Sequence, residues 1–137
     1  MRKIFFILMA SFFVYLIYKS RIIIYSNLIN IHGNIEIEEG LNKGFKPNSV
    51  LYIILKNEKG NTFAIKEYIN PVFPLKFKIT KKNVLFPDLT TFKTNIYATL
   101  NYHGEIGSLK KGDLISDNLN INIFSRNANI KIDKIKQ

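Results

Sequence analysis

Cysteine is absent from this chain of 137 residues. That omission removes a disulfide framework, a thiolate zinc site, an iron–sulfur cluster and a cysteine nucleophile together. The redox compartment therefore cannot be read from disulfides. Catalytic signatures are missing too: no Gly-x-Ser-x-Gly elbow surrounds a serine, and no glycine-rich phosphate loop precedes a helix. No RNA-recognition or zinc-finger pattern is present. Acidic residues are scarce, 10 against 20 Lys and Arg, for a formal charge of +10. Such a field favours anionic partners, whether nucleic acid, anionic lipid or an acidic protein. The distribution argues against nucleic acid: Arg2, Lys3, Lys19 and Arg21 bracket an apolar segment, and most other cations alternate with apolar residues. An abundance of Ile, Asn and Lys also follows simply from an AT-rich genome.

With 47% hydrophobic residues the chain can bury one modest core, and it is too short for two. No internal repeat or low-complexity segment interrupts it. The opening "MRKIFFILMASFFVYLIYKSRIIIY" starts with two cations and runs uncharged from Ile4 to Tyr18. As a helix that run spans roughly 22 Å, short of a hydrocarbon core of roughly 30 Å. Snorkelling of Lys19 and Arg21, with Ile22 to Tyr25 as an extension, would complete a crossing. A cleaved secretory signal would end in small residues, whereas Tyr15 to Tyr18 are bulky. Residues 1–26 are thus read first as an uncleaved signal anchor, then as a cleaved signal, and last as a helix buried in a soluble core. The apolar anchor residues are Ile4, Phe5, Phe6, Ile7, Leu8, Phe12, Phe13, Val14, Leu16 and Ile17. Orientation does not follow from charge, because Arg2 and Lys3 on one side match Lys19 and Arg21 on the other.

From Asn27 the apolar period falls to two, the mark of half-buried strands. Ile29, Ile31, Ile35 and Ile37 share one face, and Asn30, His32, Asn34 and Glu36 the other. The alternation recurs in Leu75, Phe77 and Ile79, in Ile96, Ala98 and Leu100, in Leu119, Ile121 and Ile123, and in Ile130 and Ile132. The denser runs "VLYIILK" and "TFAIKEYI" read as central strands covered on both sides. Turn signals separate the strands: "EKGN" at Glu58–Asn61, which predicts a tight hairpin, "KPNS" at Lys46–Ser49, the prolines at 71, 74 and 87, and "SRNAN" near the end. "FPDLTTF" predicts a single helical turn with Asp88 near its start. About seven short strands over residues 27–137 predict an all-β fold, an antiparallel two-sheet sandwich of immunoglobulin or prealbumin type.

His32 and His103 are the only histidines, and neutral imidazole is a common metal or haem ligand. His32 has no carboxylate or second imidazole at ligand spacing, and His103 sits in a turn beside Gly104, where polar residues accumulate anyway, so ordinary polar surface is the first reading of both. Glu36, Glu38 and Glu39 straddle a strand end and read as solvated, not as an acid–base pair. The cations from Lys76 to Lys82 fit either an anionic headgroup or acidic protein face, or, more simply, solvated lysines that keep an edge strand from pairing. No enzyme, cofactor or small-molecule substrate is expected. The stretch "NYHGEIGSLKKGDL", Asn101 to Leu114, reads as a turn first and a ligand loop second. Its glycines permit positive φ, and Asp113 can bond nearby amides. Its binding candidates are His103, Gly104, Gly112 and Asp113.

Taken in order, these pieces resemble the C-terminal domain of the CycH/CcmI-type cytochrome c biogenesis proteins, a haem-lyase component of bacterial c-type cytochrome maturation. The family's hydrophobic-x-Gly-x-hydrophobic element is similar to "IHGNIEI" from Ile31. Its Leu-Phe-Val-Phe-Ala-Arg strand resembles Leu51 to Lys56, and a Pro-x-Ala-Val-Lys run resembles Thr62 to Lys66 without the proline. A Leu-Pro-hydrophobic-x-Phe-x-Leu stretch is similar to Phe73 to Ile79. The family's Ala-Arg-hydrophobic-Ser-x-x-Gly and later Gly-Asp-Leu resemble Ala98 to Gly104 and Gly112-Asp113-Leu114, with Thr99 and Asn101 in place of its arginine and serine. The tetratricopeptide array that the resemblance would assign to gripping the apocytochrome is missing. The resemblance implies a non-catalytic assembly factor on the bacterial inner membrane, single-pass, with its β-domain in the periplasm. Its partners would be cytochrome c maturation proteins, apocytochrome c or both; the rival reading is a general envelope sandwich with a structural or protein-interaction role.

Overall fold

Where apolar and polar residues alternate, the chain is extended, and the long uncharged run at its start is helical. The computed structural model describes residues 2–41 and 48–137. A helix, α1 (Arg2–Leu28), precedes strands β1 (Asn30–Ile37), β2 (Val50–Asn57), β3 (Thr62–Ile69), β4 (Leu75–Thr80), β5 (Lys93–Asn101), β6 (Leu114–Ser116), β7 (Leu119–Asn122) and β8 (Ala128–Ile135). The "FPDLTTF" stretch supplies the single turn, at Pro87–Leu89, and a second turn forms at Lys81–Asn83.

Within α1, Lys3–Leu28 is long and apolar enough to cross a membrane. Every anchor residue from Ile4 to Ile17 named above is exposed, so the segment is not a helix of the soluble core. The hydroxyls of Ser11 and Ser20 donate to the carbonyls of Leu8 and Ile17, each at 2.8 Å, which leaves those groups satisfied without water. The helix runs on to Leu28, and Tyr25 packs against the core of the β-domain.

The strands form one hydrogen-bonded path in the order β3-β2-β5-β6-β8-β1-β4, with β7 pairing β5 beyond the end of β6. The path curls until its edges nearly meet. Ala64 in β3 bridges Val84 just after β4, Leu85 N–H donates to Phe63 O at 2.8 Å, and Lys66 Nζ donates to Lys78 O at 2.7 Å. Two expectations change. "TFAIKEYI" is an edge strand, half-exposed beyond Ala64, while "VLYIILK" is covered on both sides as anticipated. Pairing is not wholly antiparallel, since β1 and β8 run parallel. The "EKGN" hairpin forms with Gly60 at φ 84° and Asn57 Oδ1 accepting from the amides of Lys59 and Asn61. Of the "KPNS" turn, Lys46 and Pro47 lie outside the described residues.

Pairing along β5 is uneven. It meets β2 from Thr94 to Asn101 but β6 only through Thr99 and Leu100. There the Ser116 hydroxyl fills in for a ladder bond by accepting from Ala98 N–H at 2.8 Å. Ile31, Ile35, Leu51, Ile53, Leu55, Phe63, Ile79, Ile96, Leu100, Ile123 and Ile132 are fully buried inside the curl, each side chain contributing roughly 1.5–3 kcal/mol by leaving water.

The registers give the domain two ends. At the near end, beside α1, lie the start of β1, the "EKGN" hairpin, residues 81–92 and residues 122–127. At the far end lie residues 38–41, 70–74 and 102–113, and the end of β8. Gly33 is fixed by close approach: a Cβ there would sit 1.9 Å from Ala128 O and 2.8 Å from Phe77 Cε1. We predict that Gly33→Ala lowers stability by at least about 2 kcal/mol, measured as the urea midpoint of the detergent-solubilised chain. An unchanged midpoint would mean that β1 and β8 do not pair in this register.

Candidate functional site

Four loop candidates from the sequence come together at the far end. His103 and Gly104 follow β5, and Gly112 and Asp113 lead into β6, so pairing of Leu100 with Leu114 brings both halves of the loop side by side. Asp113 is buried at 3% exposure, and its Oδ2 accepts from Lys110 N–H at 2.7 Å and from His103 Nε2 at 3.0 Å. Glu105 N–H donates to His103 Nδ1 at 3.2 Å. Because Nδ1 is the acceptor, the neutral ring carries its proton on Nε2 and donates it to Asp113. Both ring nitrogens are therefore engaged inside the loop, and neither offers a lone pair outward to a metal.

The same loop is tied to the sheet from below. Asn101, buried at 1% exposure where the resembled family has serine, accepts from Gly104 N–H and donates to Glu105 O, each at 3.0 Å. The Tyr52 hydroxyl donates to Gly104 O at 2.9 Å. Burial, with a contribution from Glu67, pushes the Tyr52 hydroxyl pKa up, so it stays a donor. Gly112 N–H donates to Lys136 O, and Lys136 N–H to Asp113 O, each at 2.8 Å, which clamps the loop to the chain after β8. Gly104 and Gly112 sit at φ 70° and 95°, where a side chain would be strained. The stretch is a braced turn.

What it bounds is an open cleft of about 570 Å³, lined by Gly40, Leu41, Tyr102, His103, Lys110 and Ile135 among others. The far end also exposes apolar side chains, namely Ile69, Val72, Ile106, Leu109 and Ile135, of which Ile135 lines the cleft. That these residues share one end was invisible in the sequence, because they come from separate loops and strand ends. His32 lies toward the near end of β1, with Nε2 2.9 Å from Asn30 Oδ1, so the two histidines do not converge. Among the described residues no group of three or more His, Cys, Asp or Glu could hold a metal ion. Glu36, Glu38 and Glu39 are exposed at the end of β1, and Glu38 pairs with Lys131 at 3.3 Å. The lysine run divides: Lys76 and Lys78 lie on the edge strand β4, while Lys81 and Lys82 stand at the near end.

No family model matches the chain, and no curated protein matches it in sequence. Among solved structures it is similar to an alternative pilotin from the type II secretion system of Vibrio cholerae, at 13% identity and a TM-score of 0.52, over 79% of this chain and 97% of that one. At that identity the likeness is one of fold.

Two outcomes test the braced turn. Asp113→Ala leaves His103 Nε2–H and Lys110 N–H without their buried acceptor, at a cost of about 1–3 kcal/mol, and amide exchange at Lys110 should accelerate. Unchanged exchange would show that the carboxylate is not the brace. The hydrogen bond and ion pair with Lys110, at 3.0 Å, hold the Glu105 carboxyl below the ordinary glutamate range. A lowered folded pKa means that this contribution is present above the unfolded value and lost as pH falls through the lowered one. NMR titration should give a Glu105 midpoint below that of an exposed glutamate, moving up in Lys110→Ala.

Proposed function

We propose that the chain is a membrane-anchored, non-catalytic assembly factor that engages protein partners through the far end of its β-domain. The observation that carries this reading is the opposition of the two ends: an apolar helix leaves one, and a braced cleft and exposed apolar side chains lie at the other. A rigid loop with both histidine nitrogens engaged suits surface docking better than chemistry. Exposed Ile69 ends the edge strand β3 and exposed Val72 follows it at the same end, so a partner can add there by strand pairing or by covering the apolar side chains.

The resemblance to the CycH/CcmI-type domain supplies the partner class, namely apocytochrome c or other components of c-type cytochrome maturation. On this reading the chain sits in the bacterial inner membrane with the domain in the periplasm. The architecture we adopt is the two-layer sandwich, β3-β2-β5-β7 against β6-β8-β1-β4. The narrow β5–β6 junction and the single bridge between β3 and the segment after β4 would serve as its seams. A second reading, a general envelope sandwich with a protein-interaction role, is favoured by the likeness to an alternative pilotin.

Deletion of the gene in its host, followed by haem staining of c-type cytochromes, separates the two. Loss of cytochromes restored by an anchored wild-type copy, and not by a copy carrying Val72→Glu and Ile106→Glu, is the expected result. Normal cytochromes in the deletion strain would remove the maturation reading and leave the general one. Both substitutions fall on exposed side chains, so the urea midpoint should be unchanged.

A further inference from the structure

The near end carries its own exposed apolar surface, which the far-end docking reading does not use. The Tyr25 ring of α1 lies 6.1 Å from Phe92, and Phe92 lies 6.1 Å from Phe124. Leu85 and Phe86 are each 55% exposed beside the turn that touches α1. Exposed cations at this end include Lys59, Lys81, Lys82, Lys93 and Arg126, against the carboxylates of Glu58 and Asp88.

The level of this surface along the helix is fixed by a crevice of about 560 Å³, in which Tyr18, Arg21 and Tyr25 face Asp88, Thr90 and Phe92. The β-domain thus descends alongside α1 to Tyr18, where the uncharged run from Ile4 ends. That run covers roughly 22 Å of a roughly 30 Å hydrocarbon core, so a bilayer that accepts it reaches the near end of the domain. Aromatic rings with neighbouring lysines and arginines are the side chains that suit the headgroup layer, and cations suit its anionic lipids.

We infer that the near end of the β-domain is a second membrane contact, with Leu85, Phe86, Phe92 and Phe124 immersed in the interface and Lys81, Lys82 and Arg126 on anionic phospholipid headgroups. This rests on the reading of α1 as a membrane span. It fixes the domain's orientation, holding the far-end cleft away from the bilayer.

The absence of cysteine makes the test clean, because single cysteines introduced into the full chain carry the only nitroxide labels. Labels at Leu85→Cys and Phe124→Cys are compared with Val72→Cys at the far end and Phe13→Cys in the helix. The protein is reconstituted in phosphatidylcholine vesicles containing phosphatidylglycerol, and collision with oxygen is set against collision with a water-soluble nickel chelate. At 85 and 124 oxygen should dominate, as at 13, and at 72 the chelate should dominate. In Lys81→Gln/Lys82→Gln, or in vesicles without phosphatidylglycerol, the labels at 85 and 124 should become shallower. If 13 is in lipid while 85 and 124 are as aqueous as 72, the second contact is overturned and the anchor stands. If 13 is aqueous, the anchor reading fails and takes the inference with it. Dipolar broadening between labels at 124 would assign the patch to a second copy of this chain and overturn the lipid reading.

Discussion

The parallel pairing of the first and last strands governs the molecule. β1 follows directly from α1, and β8 is the last of the described strands, so their ladder from Gly33–Ala128 to Ile37–Ile132 joins the first strand to the last. It exists because Gly33 has no Cβ; any other side chain would have to occupy the position of the Ala128 carbonyl. With β1 held there, β4 can pair on its other side, and the sheet curls until β3 and the segment after β4 come together. A hydrophobic core of alternating Ile, Leu and Phe then fills the curl.

That closure also gives the domain its polarity. Since β1 leaves the helix and runs away from it, every parallel or antiparallel partner is placed relative to the helix, and each loop is assigned to one end. The near end gathers rings and cations around Tyr25. The far end gathers the turn built on Asn101, His103 and Asp113, which is braced by neutral and charged hydrogen bonds and leaves apolar residues facing solvent. On the function proposed above, the length of the strands would keep membrane attachment and partner recognition apart.

The period-two alternation sufficed to identify strands, because a side chain on a half-buried strand meets either core or water, and Ile31, Ile35, Phe77 and Ile79 obey that rule. It misjudged "TFAIKEYI", whose dense apolar run reflects an edge strand with its first half tucked under Leu85 and its second half facing solvent. It also had no means of finding the parallel β1–β8 pair, since strand direction depends on partners about 95 residues away in the chain, beyond any local pattern. Of the four loop candidates, the glycines were legible as positive-φ positions. The role of His103 was not, because which of its nitrogens is free depends on Asp113 and on the amide of Glu105, brought together only by the β5–β6 pair.

By itself the sequence determined what local chemistry decides: an apolar helix at the start, a β-domain after it, no thiol chemistry, a tight hairpin at Gly60 and a turn at Gly104 to Asp113. Tertiary structure alone decided which strands are edges, which residues share an end, and that the ring of His103 is spent on its own loop. The reason is physical. Backbone preference and side-chain alternation act over a few residues, whereas edge, end and free lone pair are properties of contacts between segments distant in the chain.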